Sequence, residues 1–416
     1  MTATTAAPTF NNTAAPTKPA ILANRYHIID VDTHIIEPPD LWTSRVSKKW
    51  GDLVPHVKVS AKSGVERWFV GQDRLPAVAS VAHAGWKDFP PGFPPTLAQA
   101  DPATWRAEDR LKRMDQYGIH AQVLYPNLLG FQCESFMRMP DRQLGLDCVR
   151  AYNDFLAEFC SLDPERLVPV MWLPFWDVEA SVAEIERSAR NGHRGVIFGG
   201  DFTVVGLPSV HDKHWDPIYA AAEHHQLSIN FHIGFAAKTT EEARIFQSTV
   251  RDDKAAYVKG STMLFMGNAL AISDLILYGV CERFPKLNFV SVESGASWLP
   301  FLVEALDWQW LNAGGAKLYA GRMLPSDYFR RQIYGSFWFE KDMLKQALEL
   351  YPDNLMFETD YPHPTSLSPG PASYARNPHE VIDAHLAGVE ESILQRALHD
   401  TAARLYHLKS PALRTA

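Results

Sequence analysis

The stretch Ile28-Ile29-Asp30-Val31-Asp32-Thr33-His34 runs directly into Ile35-Ile36-Glu37-Pro38-Pro39. Residues 26–31 are apolar and β-branched enough to read as a strand, and the paired prolines force a turn soon after it. Side chains two apart on a strand point to one side, so Asp32 and His34 project together from its end. A carboxylate beside an imidazole is half of a divalent-metal site. The structural alternative is a buried Asp–His pair that fixes the turn. Partners on other strands decide between the two.

Similar short apolar runs recur at 121–125, 167–172, 195–198, 227–231, 287–292, 332–334 and 355–357. Helical patterns at 110–117, 147–160, 178–190, 214–225, 266–284 and 342–350 lie between most of them, the first ending at Gly118. Strands alternating with helices imply right-handed crossovers and a parallel sheet. Eight such units in 416 residues predict an α/β fold, a (β/α)8 TIM barrel. The seventh strand is the weakest, because Tyr334-Gly335-Ser336-Phe337-Trp338 reads equally as loop. An open doubly wound sheet is the alternative, but no glycine-rich phosphate turn follows any strand.

Two stretches break the repeat: a long insertion at 43–108 after the first strand and a charged, helical one at 235–263 after the fifth. The first contains a hairpin, with Val57-Lys58-Val59 against Trp68-Phe69-Val70 and Gly64 in the turn. Its second part, 83–104, is rich in proline and aromatics, and loops of that length in enzymes are usually lids or contact arms. Residues 1–24 read as a disordered tail without the pattern of a signal peptide, ahead of a single domain over 25–410.

A net charge of −8 offers no basic footprint for nucleic acid and no polybasic segment for anionic membrane. No apolar run approaches the length of a membrane span. Cys133, Cys148, Cys160 and Cys281 form no CxxC pair, which predicts reduced, buried thiols in a cytoplasmic protein.

Barrel chemistry sits at the carboxyl ends of the strands. The first strand ends in Asp32 and His34, the fifth in Asn230-Phe231-His232-Ile233-Gly234, and the sixth in Ser291-Val292-Glu293-Ser294-Gly295. The eighth ends in Glu358-Thr359-Asp360-Tyr361-Pro362-His363-Pro364. One histidine at one strand tip is more often structural than a ligand. Four tips carrying Asp/His, His, Glu and Asp are not, because buried carboxylates are costly unless paired or bound to metal. Asp32, His34, His232 and Asp360 have the donor set of one divalent ion, zinc first and manganese as the alternative.

On these motifs, with the helix at Trp215-Asp216-Pro217-Ile218-Tyr219, the chain resembles the amidohydrolase superfamily from about residue 28 to about 408. Within it, the resemblance is to the amidohydrolase-related group of aminocarboxymuconate semialdehyde and resorcylate-type decarboxylases. It implies metal ligation by His34, His232 and Asp360, with Asp32 replacing the first His of the group's usual His-x-His. Glu293 stands where the decarboxylases usually carry an acid/base His, which implies the same role for it. Asp360 is allowed a second role in proton transfer, and His363 is a candidate to orient substrate.

The implied function is nonoxidative decarboxylation of an aromatic or ring-cleavage carboxylate by a cytoplasmic, homodimeric enzyme. Its expected partner is a small-molecule aromatic or unsaturated carboxylate, with aromatic loops at 86–93 and 337–339 suited to a flat ring. The alternatives are a hydrolase that activates water on its metal to cleave an amide, ester or C–C bond, and a non-catalytic barrel with a structural metal.

Overall fold

The computed structural model describes residues 22–235 and 254–409. Residues 1–21 of the expected N-terminal tail and most of the second insertion therefore lie outside the described residues, while the last residues of that tail enter a short helix, Ala23–Arg25. Eleven strands are described, in chain order: β1 Ile28–Ile35, β2 His56–Val59, β3 Glu66–Val70, β4 Asp73–Ala77, β5 Ile119–Pro126, β6 Leu167–Met171, β7 Gly195–Phe198, β8 Ser228–His232, β9 Phe289–Val292, β10 Ile333–Phe337 and β11 Leu355–Phe357.

Eight of them form one parallel sheet in the order β1-β5-β6-β7-β8-β9-β10-β11. The sheet closes on itself beyond β11, where Thr33 bridges Tyr361, His34 N donates to Tyr361 O at 2.6 Å and Asp360 N donates to Asp32 O at 2.9 Å. This is the expected barrel. Both faces of each strand are covered, so β1, β6, β7, β8, β9, β10 and β11 are buried throughout, and β6, β7 and β11 read as apolar runs rather than alternating ones.

Asp30 fastens the closing seam. Its carboxylate accepts from Thr359 N (2.8 Å), Thr359 Oγ1 (2.6 Å) and Gln122 Nε2 (3.0 Å), tying β1 to the segment after β11 and to β5.

Local rules place most connecting elements. The helix Ala107–Tyr117 stops at Gly118, whose φ of 72° is the left-handed cap that glycine allows. Helix Val178–Arg190 starts on Asp177, whose side chain accepts from Ala180 N. The first strand runs past its expected end to Ile35, which brings Asp32 and His34 into the barrel wall. The doubtful seventh strand is real: Ile333–Phe337 pairs with both β9 and β11. Gly335 lets a helix approach it, since a Cβ there would lie 2.5 Å from Leu299 Cδ1.

The insertion after β1 holds the expected antiparallel hairpin, β2 with β3, extended by a third strand, β4. That strand escaped the sequence reading because Asp73, Arg74 and Pro76 break any apolar alternation. Helices Leu299–Asn312 and Pro325–Gln332, between β9 and β10, were also not expected. The first has no clean amphipathic period: Leu299 and Val303 face the core, yet Phe301, Trp308 and Leu311 are exposed.

One helical stretch, Lys254–Leu277, is apolar and long enough by composition to cross a membrane, contrary to the sequence reading. It consists of two helices, Lys254–Phe265 and Asn268–Leu277. The second packs Ala271, Ile272, Leu275 and Ile276 into the barrel core, which accounts for its apolar character. The four cysteines are free and buried, as expected.

Candidate metal centre

Every candidate residue named from the sequence arrives at one end of the barrel. Asp32 and His34 stand on β1, His232 ends β8, Glu293 follows β9, and Asp360 and His363 follow β11. All six are buried.

The two histidines define the centre. His34 Nε2 and His232 Nε2 lie 3.0 Å apart. Each ring places its other nitrogen on a backbone carbonyl: His34 Nδ1 on Pro126 O at 3.1 Å, and His232 Nδ1 on Ile233 O at 2.8 Å. A carbonyl only accepts, so both Nδ1 atoms carry hydrogen and both Nε2 lone pairs face inward in the neutral rings. Two lone pairs at that distance repel unless a positive charge lies between them.

Carboxylates surround the pair. Asp32 Oδ1 is 3.5 Å from His34 Nε2 and 3.6 Å from His232 Nε2. Glu293 Oε2 is 3.5 Å from His232 Nε2, and Asp360 Oδ1 is 3.8 Å from His34 Nε2. Ligands about 2.0–2.2 Å from one ion stand roughly 3–3.6 Å from each other, so this spacing suits a shared divalent cation. Donor atoms of Asp32, His34, His232 and Glu293 lie within 4.8 Å of one another, as do those of His34, Glu293, Asp360 and His363. Neither oxygen of Asp32 accepts a hydrogen bond, nor does Glu293 Oε2, among the described residues. Buried carboxylate oxygens are rarely left so, and a cation satisfies them. The residues fit the metal.

The electrostatics agree. Burial and the neighbouring His363 and His232 hold His34 well below the usual imidazole range, which keeps it neutral. Burial alone would lower His232 as well, but the Asp32 carboxylate overrides it and lifts the ring to about 9, so without a cation it is a proton on His232 Nε2 that lies between the two rings. Glu293 is raised well above the usual range, by burial first and then by the charge of Asp360. Asp360 is raised in the same way, by burial and then by Asp32. So many acidic groups in one dry space are stable only with protons or a cation among them.

Glu293 and Asp360 both adopt left-handed backbone, with φ of 55° and 58°. Asp tolerates this conformation better than most residues, but Glu rarely adopts it, and such residues concentrate at functional sites. Asp360 is further fixed by Thr365 Oγ1, which donates to its Oδ2 at 3.2 Å. His363 stacks on His34 with ring centroids 3.9 Å apart and sets its Nδ1 2.7 Å from Asp360 Oδ1. Burial lowers His363 to about 3, and its Nε2 has no hydrogen-bond partner among the described residues.

Several supporting residues were invisible to motif reading. Arg110 is fully buried, and its guanidinium donates to His34 O (2.6 Å), Ala103 O (2.6 Å) and Gln122 Oε1 (3.3 Å). Glu37 accepts from Asn127 N (3.0 Å) and Leu128 N (2.8 Å), fixing the turn next to the Pro126 carbonyl that orients His34. Glu358, on the same side of the chain as Asp360, accepts from Glu293 N at 3.3 Å. Phe131 packs beside His34, His232 and His363 and forms an aromatic wall. The only sequence signal was proximity: Asp30, Glu37 and Glu358 lie within three residues of named candidates, whereas Arg110 and Phe131 carry none.

Comparison with known proteins bears on this geometry. The chain is 26% identical over 267 residues to gamma-resorcylate decarboxylase of Rhizobium sp. (strain MTP-10005), spanning 61% of this chain and 76% of that protein. Its fold matches the crystal structure of an amidohydrolase from Mycobacterium avium subsp. paratuberculosis K-10, with a TM-score of 0.71 and 21% identity over 92% of this chain and 99% of the other. It also matches a dihydroxybenzoic acid decarboxylase from Polaromonas sp. JS666, solved with bound manganese and the inhibitor 2-nitroresorcinol. There the TM-score is 0.60 and the identity 18%, over 92% of this chain and 97% of the other. A family profile described as amidohydrolase matches residues 29–408, which takes in the eight barrel strands apart from Ile28 and every residue of the centre, and the chain belongs to that family.

Proposed function

We propose that this enzyme is a nonoxidative decarboxylase of an aromatic or unsaturated carboxylate and works with one divalent ion. Asp32, His34, His232 and Asp360 would hold the ion, with Glu293 as the acid. The paired Nε2 atoms of His34 and His232, 3.0 Å apart beside the unpartnered Asp32, carry the reading. Both zinc and manganese accept imidazole and carboxylate ligands. The added carboxylate at Asp32 favours manganese, the harder ion, which the Polaromonas decarboxylase also binds.

When bound, the ion supplies a positive charge that neutralises the substrate carboxylate and an adjacent oxygen. Glu293, whose protonated form is favoured by burial and by the charge of Asp360, is the proton source. It gives that proton to the ring carbon bearing the carboxylate. The bond from that carbon to the carboxylate then breaks, its electron pair returns to the ring, and CO2 leaves. Glu293, now ionised, recovers a proton from water. His363, whose Nδ1 lies 2.7 Å from Asp360 Oδ1, has an unpartnered Nε2 that would accept a phenolic O–H and so orient the ring. Phe131 excludes water from one side of the site.

Glu293 in place of a histidine supports one further reading, hydrolysis with Glu293 as general base. A panel of hydroxybenzoates, muconates and aryl amides offered to the manganese- or zinc-loaded enzyme separates the two. Release of CO2 with a ring product supports decarboxylation, and hydrolysed fragments without CO2 overturn it.

Four free, buried cysteines favour a reducing, cytoplasmic setting. We infer a homodimer, with the exposed Phe301, Trp308 and Leu311 of the helix Leu299–Asn312, which share one face by helical spacing, as the surface that a second copy covers. Sedimentation giving a monomer mass at micromolar concentration overturns that assignment.

A further inference from the structure

The two inserted segments meet over the centre. The first is pinned beside it, where His83 N and Ala84 N donate to Pro362 O at 2.9 and 3.2 Å, two residues past Asp360. His83 Nε2 on Gly92 O, at 2.7 Å, draws the proline-rich loop back on itself. The second is the helix Lys254–Phe265, whose far end rests Phe265 on Trp338 and Phe339, in the loop after β10. These anchors all lie at the carboxyl ends of barrel strands, the side that carries the candidate metal ligands. The segments touch where Phe89 packs edge-on against Tyr257 (centroids 5.4 Å apart) and Lys254 Nζ donates to Pro90 O at 2.9 Å.

One face of that helix is turned inward. Tyr257, Gly260, Ser261 and Leu264 share it by helical spacing, and Gly260 and Leu264 are buried. Leu264 lies over Gly234, two residues past His232: a Cβ at Gly234 would sit 3.8 Å from Leu264 Cδ2. Tyr257 is therefore aimed at the mouth. Its surroundings agree: burial pushes the hydroxyl up to about 12 against the lowering effect of a hydrogen bond with Ser261, which stabilises the phenol oxygen and leaves its proton to donate, and the charges of Asp360 and Glu293 add a smaller upward push.

We propose that Tyr257 is a substrate-contacting residue, carried on a two-part lid, whose hydroxyl donates to an oxygen of the bound aromatic carboxylate. The chemistry calls for such a group. Asp32, Glu293, Glu358 and Asp360 crowd the centre with carboxyl oxygens, and the proton that Glu293 carries is committed to the ring carbon, so an incoming anion with ring oxygens meets few other donors there. A phenol that keeps its proton across the physiological range is a neutral donor that does not compete for the metal. The lid thereby selects rings bearing an oxygen substituent on the side away from the ion, while Phe131 walls the other side. The inference rests on the decarboxylase reading for the class of its ligand.

Titration of the full, manganese-loaded protein with 2-nitroresorcinol, followed by the absorbance of the probe, tests it. Tyr257→Phe should weaken binding about tenfold or more, the loss expected for one hydrogen bond to a charged or strongly polar oxygen, with metal content and melting temperature unchanged. Phe89→Ala, which frees the tip of the lid, should weaken binding in the same direction. Tyr257→Phe that binds within twofold of wild type, while wild type binds well, overturns the role of Tyr257 alone. Metal-loaded wild type that neither binds the probe nor releases CO2 from any hydroxybenzoate overturns the decarboxylase reading and this inference with it.

Discussion

Asp30 accepts both the backbone N–H and the hydroxyl of Thr359, at 2.8 and 2.6 Å, across the seam where the barrel closes. Two residues beyond Asp30 is Asp32, and one beyond Thr359 is Asp360, so one carboxylate sets the spacing of two candidate ligands. Asp30→Asn replaces an acceptor oxygen by a donor facing Thr359. Metal affinity should fall about 10–100-fold, as for other residues that orient ligands without touching the ion. Competition with a fluorescent chelator measures it, and unchanged affinity refutes the coupling.

His232→Ala removes one of the two inward lone pairs at the end of β8. Purified variant should retain no stoichiometric metal and no turnover, with a circular dichroism spectrum like that of wild type. Full metal content in this variant would falsify the ligand assignment.

Glu293→Gln keeps the size and burial of the side chain but has no proton to give. Turnover should fall about 10²–10⁴-fold, the usual contribution of a positioned acid or base, with metal content unchanged. Loss of metal along with activity would make Glu293 a ligand instead.

Glu37 offers a test by pH. Burial lifts its carboxyl to about 7, against the lowering effect of the Leu128 and Asn127 amides. Its folded value lies above its unfolded one, so folding takes up a proton between the two. The stability it contributes is fully present below about pH 4.5 and is lost as pH rises through about 7. Glu37→Gln has no such proton, so its melting temperature should fall less than that of wild type between those limits. Parallel curves for the two proteins would show that Glu37 does not titrate there.

The strand tips were legible because a period of two is local. Asp32, His34, His232, Glu293 and Asp360 each announce themselves by the residues on either side, and the barrel brings them together. The seam between Asp30 and Thr359 was not legible, since nothing near residue 30 says what residue 359 does. Arg110 shows the limit most plainly. On its helix it reads as one more surface cation, yet it is buried and donates to three acceptors that only the folded chain assembles. The third strand of the small sheet and the helix Leu299–Asn312 were missed for a related reason. One carries charge and proline inside a strand, and the other bears apolar residues on both its faces, so neither shows the period it adopts.

Glu293 and Asp360 hold left-handed backbone at the tips of β9 and β11, a conformation that glycine adopts without steric strain. Each such residue costs on the order of 1–3 kcal/mol, and both side chains are also buried acids. Selection for durability alone would erase them. Glu293→Gly, and with it Asp360→Gly, should yield a protein that melts at a higher temperature than its metal-free parent and does no chemistry. The reactive end of this barrel is thus kept against the interest of its own endurance.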